Sequence, residues 1–386
     1  NMNKKEVTEI KKLFTKERCC LNRLCGCYVD ADKNKVVQFK EAFLSLPEEE
    51  IFKYFELLRK TLSGSLGKNL LNLDFPLASE QEEGTQAALL ALRDSKLKDD
   101  ALIEEFYDRV INTYEYVGNY LILLIHDAYD VPGKTTDGLT MYDASDTVFE
   151  YIMCCICPVN LSKPGLSYDN INNEFHNRIR DWVVEMPETG FLFPSFNDRA
   201  TDIHSTLFYS KNPEEAHSEF VENILGCTMP LSAGTQKEAF QALIEETLGD
   251  EVEYEVVKNI HENLTEMIEE HKEIPEPLTL DKHQVKSLFE KSGVKEEKLT
   301  DFDKLYDAAA GEDTSLFVNN VANVRTFEVK TPDVVVKVNP ERADLVNTLQ
   351  IDGKRCLVIE INDHVEVNGI TIHQGVSLED VADEEE

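Results

Sequence analysis

Basic residues are scarce in this chain: 39 lysines and arginines face 74 aspartates and glutamates, a formal net charge of −35. A field of that sign repels phosphate backbones and anionic lipid, so bulk electrostatics argue against non-specific nucleic-acid or membrane-surface binding. Long apolar runs are lacking too. No segment reaches the ~20 residues of a membrane-spanning helix, and no secretion leader is read at the N-terminus, where Asn1 ahead of Met2 looks like an expression remnant. The nine cysteines are an odd number, and several lie inside apolar runs. That usage suits a reducing compartment better than a disulfide framework, and the expected location is the cytoplasm. No serine elbow, triad spacing, dinucleotide glycine fingerprint or internal repeat is found.

What is present is enough apolar residue for a sizeable core: 42% hydrophobic and 29% charged over 386 residues, a length that allows two or three domains. The organising stretch is 119–130. Leu121 to Ile125 is apolar at every position before the chain turns polar at His126 and Asp127, with Gly118 ahead and Pro132 behind. A short unbroken β-rich run between breakers predicts a strand buried on both faces. Further strands are expected near 26–29 and 36–39 as a hairpin, and at 69–75, 149–159, 182–186, 191–196 and 203–209. Helices are expected from Ser45 and Glu48 (spaced as a capping box) to Leu62, at 85–94 and at 99–116. Pro275 and Pro277 mark a hinge in a helical stretch, and Asp352-Gly353 and Asn368-Gly369 predict hairpin turns. The fold class is therefore α+β: a mainly antiparallel sheet with segregated helices, a helical middle region and a small C-terminal all-β unit. The expected boundaries are 1–230, 231–322 and 323–375, with 376–386 an acidic, disordered tail. Residues 133–143 read as a mobile polar loop.

Several motifs recommend chemistry and are outweighed by structural readings. Asp30, Asp32, Asn34 and Glu41 carry calcium-loop spacing, but the sixth position, which needs glycine, holds Lys35, so a hairpin turn is expected. Gly64-Ser-Leu-Gly67-Lys68-Asn69 has two residues between its glycines where a phosphate loop needs four, and reads as a helix end and turn. Cys155 and Cys157 share a strand face and are assigned to core packing. At the exit of the organising strand, His126, Asp127 and Asp130 are candidate catalytic residues. Glu174 and His176, in the polar segment 173–178, would join them if the strand ends converge. The competing reading is a set of structural hydrogen bonds and ion pairs at sheet edges. No metal site or cofactor is assigned.

The motifs Arg23-Leu-Cys-Gly-Cys-Tyr-Val29, Leu62-Ser-Gly-Ser-Leu-Gly-Lys-Asn69, residues 118–131, Cys157-Pro-Val, 173–178, Gly190-Phe-Leu-Phe-Pro194 and Val338-Asn-Pro-Glu-Arg342 together resemble the bacterial family catalogued as domain of unknown function 4317. The resemblance covers nearly the whole chain and implies no activity, cofactor or catalytic residue. The order of elements is also similar to nucleoid-associated proteins of the YejK/NdpA type: a helix, the 119–130 strand, a second apolar strand, a strand at 207–209, a long helical region and a C-terminal hairpin unit. That likeness implies a binding protein linked to nucleoid or macromolecular assemblies.

The leading expectation is a cytoplasmic binding or interaction protein without evident catalytic machinery, its partner a protein or macromolecular assembly, with homo-oligomerisation compatible. Direct nucleic-acid contact is disfavoured by charge except through the N-terminal segment, where seven basic residues as far as Arg23 face Glu6, Glu9 and Glu17, a local charge of +4. The alternative is a metal-assisted hydrolase using His126, Asp130, Glu174 and His176.

Overall fold

The computed structural model describes residues 1–134, 140–141, 147–215, 217–250, 252–361 and 364–372. The expected acidic tail and most of the expected loop at 133–143 lie outside these residues. The chain forms two units: Asn1–Gln241 with His271–Leu280 and Thr314–Val321, and Ala242–Glu270 with Asp281–Asp313 and the described part of Ala322–Glu386. Residues 271–280 and 314–321 pair with each other through Thr279–Leu280 and Leu316–Phe317, and they join the first unit through Lys4 N to Pro275 O, Phe317 N to Gln236 Oε1 and Asn320 Nδ2 to Gly67 O.

In the first unit, α1 (Lys4–Lys11) is started by Asn3, whose side chain accepts from the Lys5 and Glu6 amides while Glu6 returns a bond to the Asn3 amide. The strands β1 (Arg23–Val29) and β2 (Lys35–Ala42) form the expected hairpin. Its turn is tied by Asp30, which accepts from the Asp32 and Asn34 amides and the Asn34 side chain. Helix α2 (Glu48–Thr61) begins at Pro47 rather than in a Ser45–Glu48 capping box, because the Ser45 hydroxyl donates back to the Ala42 carbonyl. Glutamates 48–50 in its first turn, with Arg59 and Lys60 in its last, complement the helix dipole. Strand β3 (Leu70–Asp74) and helices α3 (Thr85–Asp94) and α4 (Asp100–Thr113) follow.

The organising stretch is β4 (Asn119–Val131). Short pairs β5 (Gly133–Lys134) and β6 (Thr140–Met141) lead to the long β7 (Thr147–Leu161), then β8 (Leu166–Asp169), β9 (Glu174–Asn177), β10 (Trp182–Val184) and β11 (Thr189–Phe193). Next come β12 (Ser195–Asn197), β13 (Ala200–Asp202) and β14 (Ser205–Ser210). The main sheet runs β2-β1-β4-β7-β11-β14-β3, antiparallel throughout, with β10 also pairing β7. Strand β4 is held along one edge by β1 and along the other by β7, from Asn119 opposite Val159 to Val131 opposite Thr147.

Both faces of this sheet are covered, which explains the unbroken apolar run. Ile122 and Leu124 pack into a core with Leu89, Leu92, Phe106 and Val110 from α3 and α4. Leu121, Leu123 and Ile125 pack into a second core with Val7, Ile10, Phe55 and Leu58 from α1 and α2. Alternation along a strand sends neighbouring side chains to opposite cores. Cys154 falls in the first core and Cys155 and Cys157 in the second, and burial pushes the Cys155 thiol up to about 12.

The second unit carries the acidic helix Tyr254–Glu270, which buries Ile260 and Leu264, and the helix Lys282–Lys291, started by an Asp281–Gln284 capping box. Lys258 is buried with its ammonium donating to Asn347 Oδ1 at 3.0 Å. Of the C-terminal hairpins, Val346–Ile351 pairs with Lys354–Ile359, and Val365–Val367 with Ile370–Ile372. Their turns place Asp352, Gly353, Asn368 and Gly369 at positive φ, as those dipeptides predict.

Truncating Ile122, fully buried in β4, to alanine is expected to lower unfolding free energy by about 2–5 kcal/mol in urea titrations. A loss below about 1 kcal/mol would show that the strand is not a core element.

Candidate functional site

At its exit, β4 separates the residues that the sequence groups together. His126 and Asp127 are adjacent on a strand and point to opposite faces. His126 Nε2 lies 2.8 Å from Glu150 Oε1, and the Lys96 ammonium is 4.0 Å from the same oxygen. Asp127, on the other face, accepts from the Tyr151 hydroxyl at 3.1 Å and from the Ala128 amide at 2.9 Å. Asp130 is exposed. Beside Asp127, Tyr129 donates to Glu9, and the Arg199 guanidinium holds both oxygens of Glu9 at 3.1 and 2.8 Å and also the Pro132 carbonyl. These groups satisfy one another, and each face has its own set.

Glu174 and His176 stand elsewhere. Both lie on β9, beyond Leu161, whereas His126 sits opposite Ile152 of β7. The intervening strand, 152–161, spans about 30 Å. The structure thus brings His126 to Glu150 and Asp127 to Tyr151, and brings neither to Glu174 or His176. Among the described residues, no group of three or more His, Cys, Asp or Glu side chains is arranged to hold a metal ion. Two clefts of about 300 and 320 Å³ line α3–α4 and β2–α4, and none of these five residues borders them.

The element that carries Glu174 and His176 is the more unusual feature. Val159 is the last residue of β7 supported by β4, opposite Asn119. From there β7 continues with only its own return strand beside it. Residues 159–161 pair with β10, Ser162 N donates to Asp181 O, Arg178 N donates to Gly165 O, and β8 pairs with β9. The register is the same at both ends, so 160–184 is one ribbon about 30 Å long. Its tip is built by Asp169, which accepts from the Ile171 and Asn172 amides and the Asn172 side chain, bonds that hold its carboxyl below the usual range. Asn173 takes a positive φ of 52° and accepts from the Tyr168 hydroxyl.

Several large apolar side chains of this arm meet solvent. Ile171 is 85% exposed, Ile179 79%, Leu166 77%, Phe175 71% and Trp182 56%. In the β8–β9 segment, Tyr168 lies opposite Phe175 with ring centroids 5.3 Å apart, and Leu166 shares their face. Ser167, Asp169, Glu174 and His176 occupy the opposite face. Sequence reading treats 173–178 as a polar segment and passes over this apolar face. The available signal is the alternation Leu-Ser-Tyr-Asp and Glu-Phe-His-Asn on either side of an asparagine-rich turn.

Burial raises the Asp127 carboxyl above its ordinary value of 3.8, against the opposing effect of its two hydrogen bonds. A raised folded-state value means that this group's stabilising contribution is complete below pH ~4 and declines as pH rises through the folded-state value. Asp127→Asn removes that ionisation. Its stability relative to the parent should rise between pH 4 and pH 7 in denaturant titrations, and a difference independent of pH would refute the assignment.

None of the curated proteins matches this chain. The family described as Domain of unknown function (DUF4317) matches residues 2–370. No described helix is long and apolar enough to cross a membrane. With its match running through both units, the chain belongs to the DUF4317 family.

Proposed function

We propose that this protein works in the cytoplasm as a binding protein, with the arm at 160–184 as its contact surface. The observation that carries this reading is the concentration of exposed apolar residues on one ribbon that the rest of its unit leaves uncovered. A lone two-stranded ribbon is marginally stable in water, and contiguous exposed apolar surface marks interaction sites. The reducing location accords with nine free cysteines.

The arm has a charge balance unlike that of the chain. Lys163, Arg178 and Arg180 offset Asp169, Glu174 and Asp181 within 160–184, whereas the whole chain carries −35. The basic N-terminal segment is poorly placed to hold a polyanion. Val7 and Ile10 of α1 are buried, Lys16 is paired with Glu48 at 2.7 Å, and the surrounding field opposes phosphate.

The test is a photo-reactive amino acid placed at position 175, compared with one at Val117, which is fully exposed outside the arm. Irradiation in cells should give discrete adducts at 175 and few at 117. Equal yields at both positions would refute the arm as the contact surface.

A further inference from the structure

We infer that the occupant of the arm is a second copy of this chain, joined through an antiparallel pairing of β9 with the partner's β9. This deepens the reading above and rests on it. Two features favour a like partner. The first is electrostatic. A basic partner would be drawn to the strongly acidic body rather than to a neutral arm, and a nucleic acid would be repelled by the whole. An acidic protein can approach closely only where the charge vanishes, and two copies of this chain meet that condition when they touch arm to arm.

The second feature is the strand itself. Strand β9 reads Glu174-Phe175-His176-Asn177 and bonds β8 along one edge only, among the described residues. A two-fold axis through Phe175 puts phenylalanine opposite phenylalanine, and Glu174 of each copy opposite His176 of the other. Directly opposed side chains in an antiparallel pair lie about 4.5–5.5 Å apart, close enough for both contacts. The rings of Phe175 and Tyr168 share a face with Leu166, so pairing extends that face across four strands. Strand β8 offers no equivalent, since its one charged residue is Asp169. Pairing also satisfies the main-chain groups of an open edge and turns a two-stranded ribbon into a four-stranded one. The interface is isologous, as a two-fold pair of identical subunits requires. The contact is one four-residue strand edge from each copy, well below the ~800 Å² per partner of a stable complex, so the dissociation constant is expected in the micromolar range.

Sedimentation velocity of the full chain from about 1 to 100 μM tests this. The parent should pass from monomer to dimer as its concentration rises. Phe175→Asp should remain monomeric with an unchanged thermal melt. His176→Glu should weaken the dimer about tenfold by opposing carboxylates, and the exchange Glu174→His with His176→Glu should restore it. A parent that stays monomeric at 100 μM overturns the self-pairing, and adducts of foreign mass at position 175 would then leave the contact-surface reading standing. A dimer indifferent to Phe175→Asp, or one that the exchanged pair fails to restore, also overturns it.

Discussion

The burial of β4 on both faces and along both edges is the constraint on which the first unit depends. A strand enclosed in this way satisfies its main-chain groups through β1 and β7 and sends alternate side chains into separate cores under α3–α4 and α1–α2. It leaves no room for reactive groups along its length. Beyond Ile125, where β1 no longer pairs, His126 meets Glu150, Asp127 meets Tyr151 and Tyr129 meets Glu9, while Asp130 is exposed. Such a pattern pins the sheet's end. Unpaired charges at a half-buried edge would cost more than the pairs themselves contribute.

The same geometry produces the arm at the other end. Strand β4 begins at Asn119 while β7 continues past Val159, so β7 leaves the sheet with only its return strand for company. Side chains there can no longer reach either core, and alternation places Leu166, Tyr168 and Phe175 on one solvent-facing surface. Side-chain bonds to the backbone hold the ribbon in shape: Arg180 to the Ser162 carbonyl, Asp181 N to the Ser162 hydroxyl, and Asp169 around the tip. These bonds reduce the conformational entropy that the ribbon would lose on the contact proposed for it.

Local patterns were a good guide wherever the deciding physics was local. The 121–125 run, the hairpin across Asp30 to Asn34, the helix at 85–94 and the Asp-Gly and Asn-Gly turns depend on period, turn chemistry and nearest neighbours, and the structure has them where these predict. The family followed from motifs spread along the chain. Helix α2 starts at Pro47 because the Ser45 hydroxyl has a second acceptor within reach, and the spacing of two residues does not say which bond forms. The charges of segment 173–178 dominate its composition, yet Phe175 in its midst and Tyr168 across the turn decide what it presents to solvent.

By itself the sequence determined an α+β fold, a strand buried on both faces, and the C-terminal hairpin turns, all written in periodicity and turn residues. The tertiary structure alone decided how the polar candidates are distributed. Whether His126, Asp127, Asp130, Glu174 and His176 share a site depends on which strand lies beside which and at what register. Register is a relation between segments far apart in the chain, and a one-residue shift would send every side chain to the other face. That relation put Glu150 beside His126, Tyr151 beside Asp127, and Glu174 and His176 on a ribbon about 30 Å of strand away.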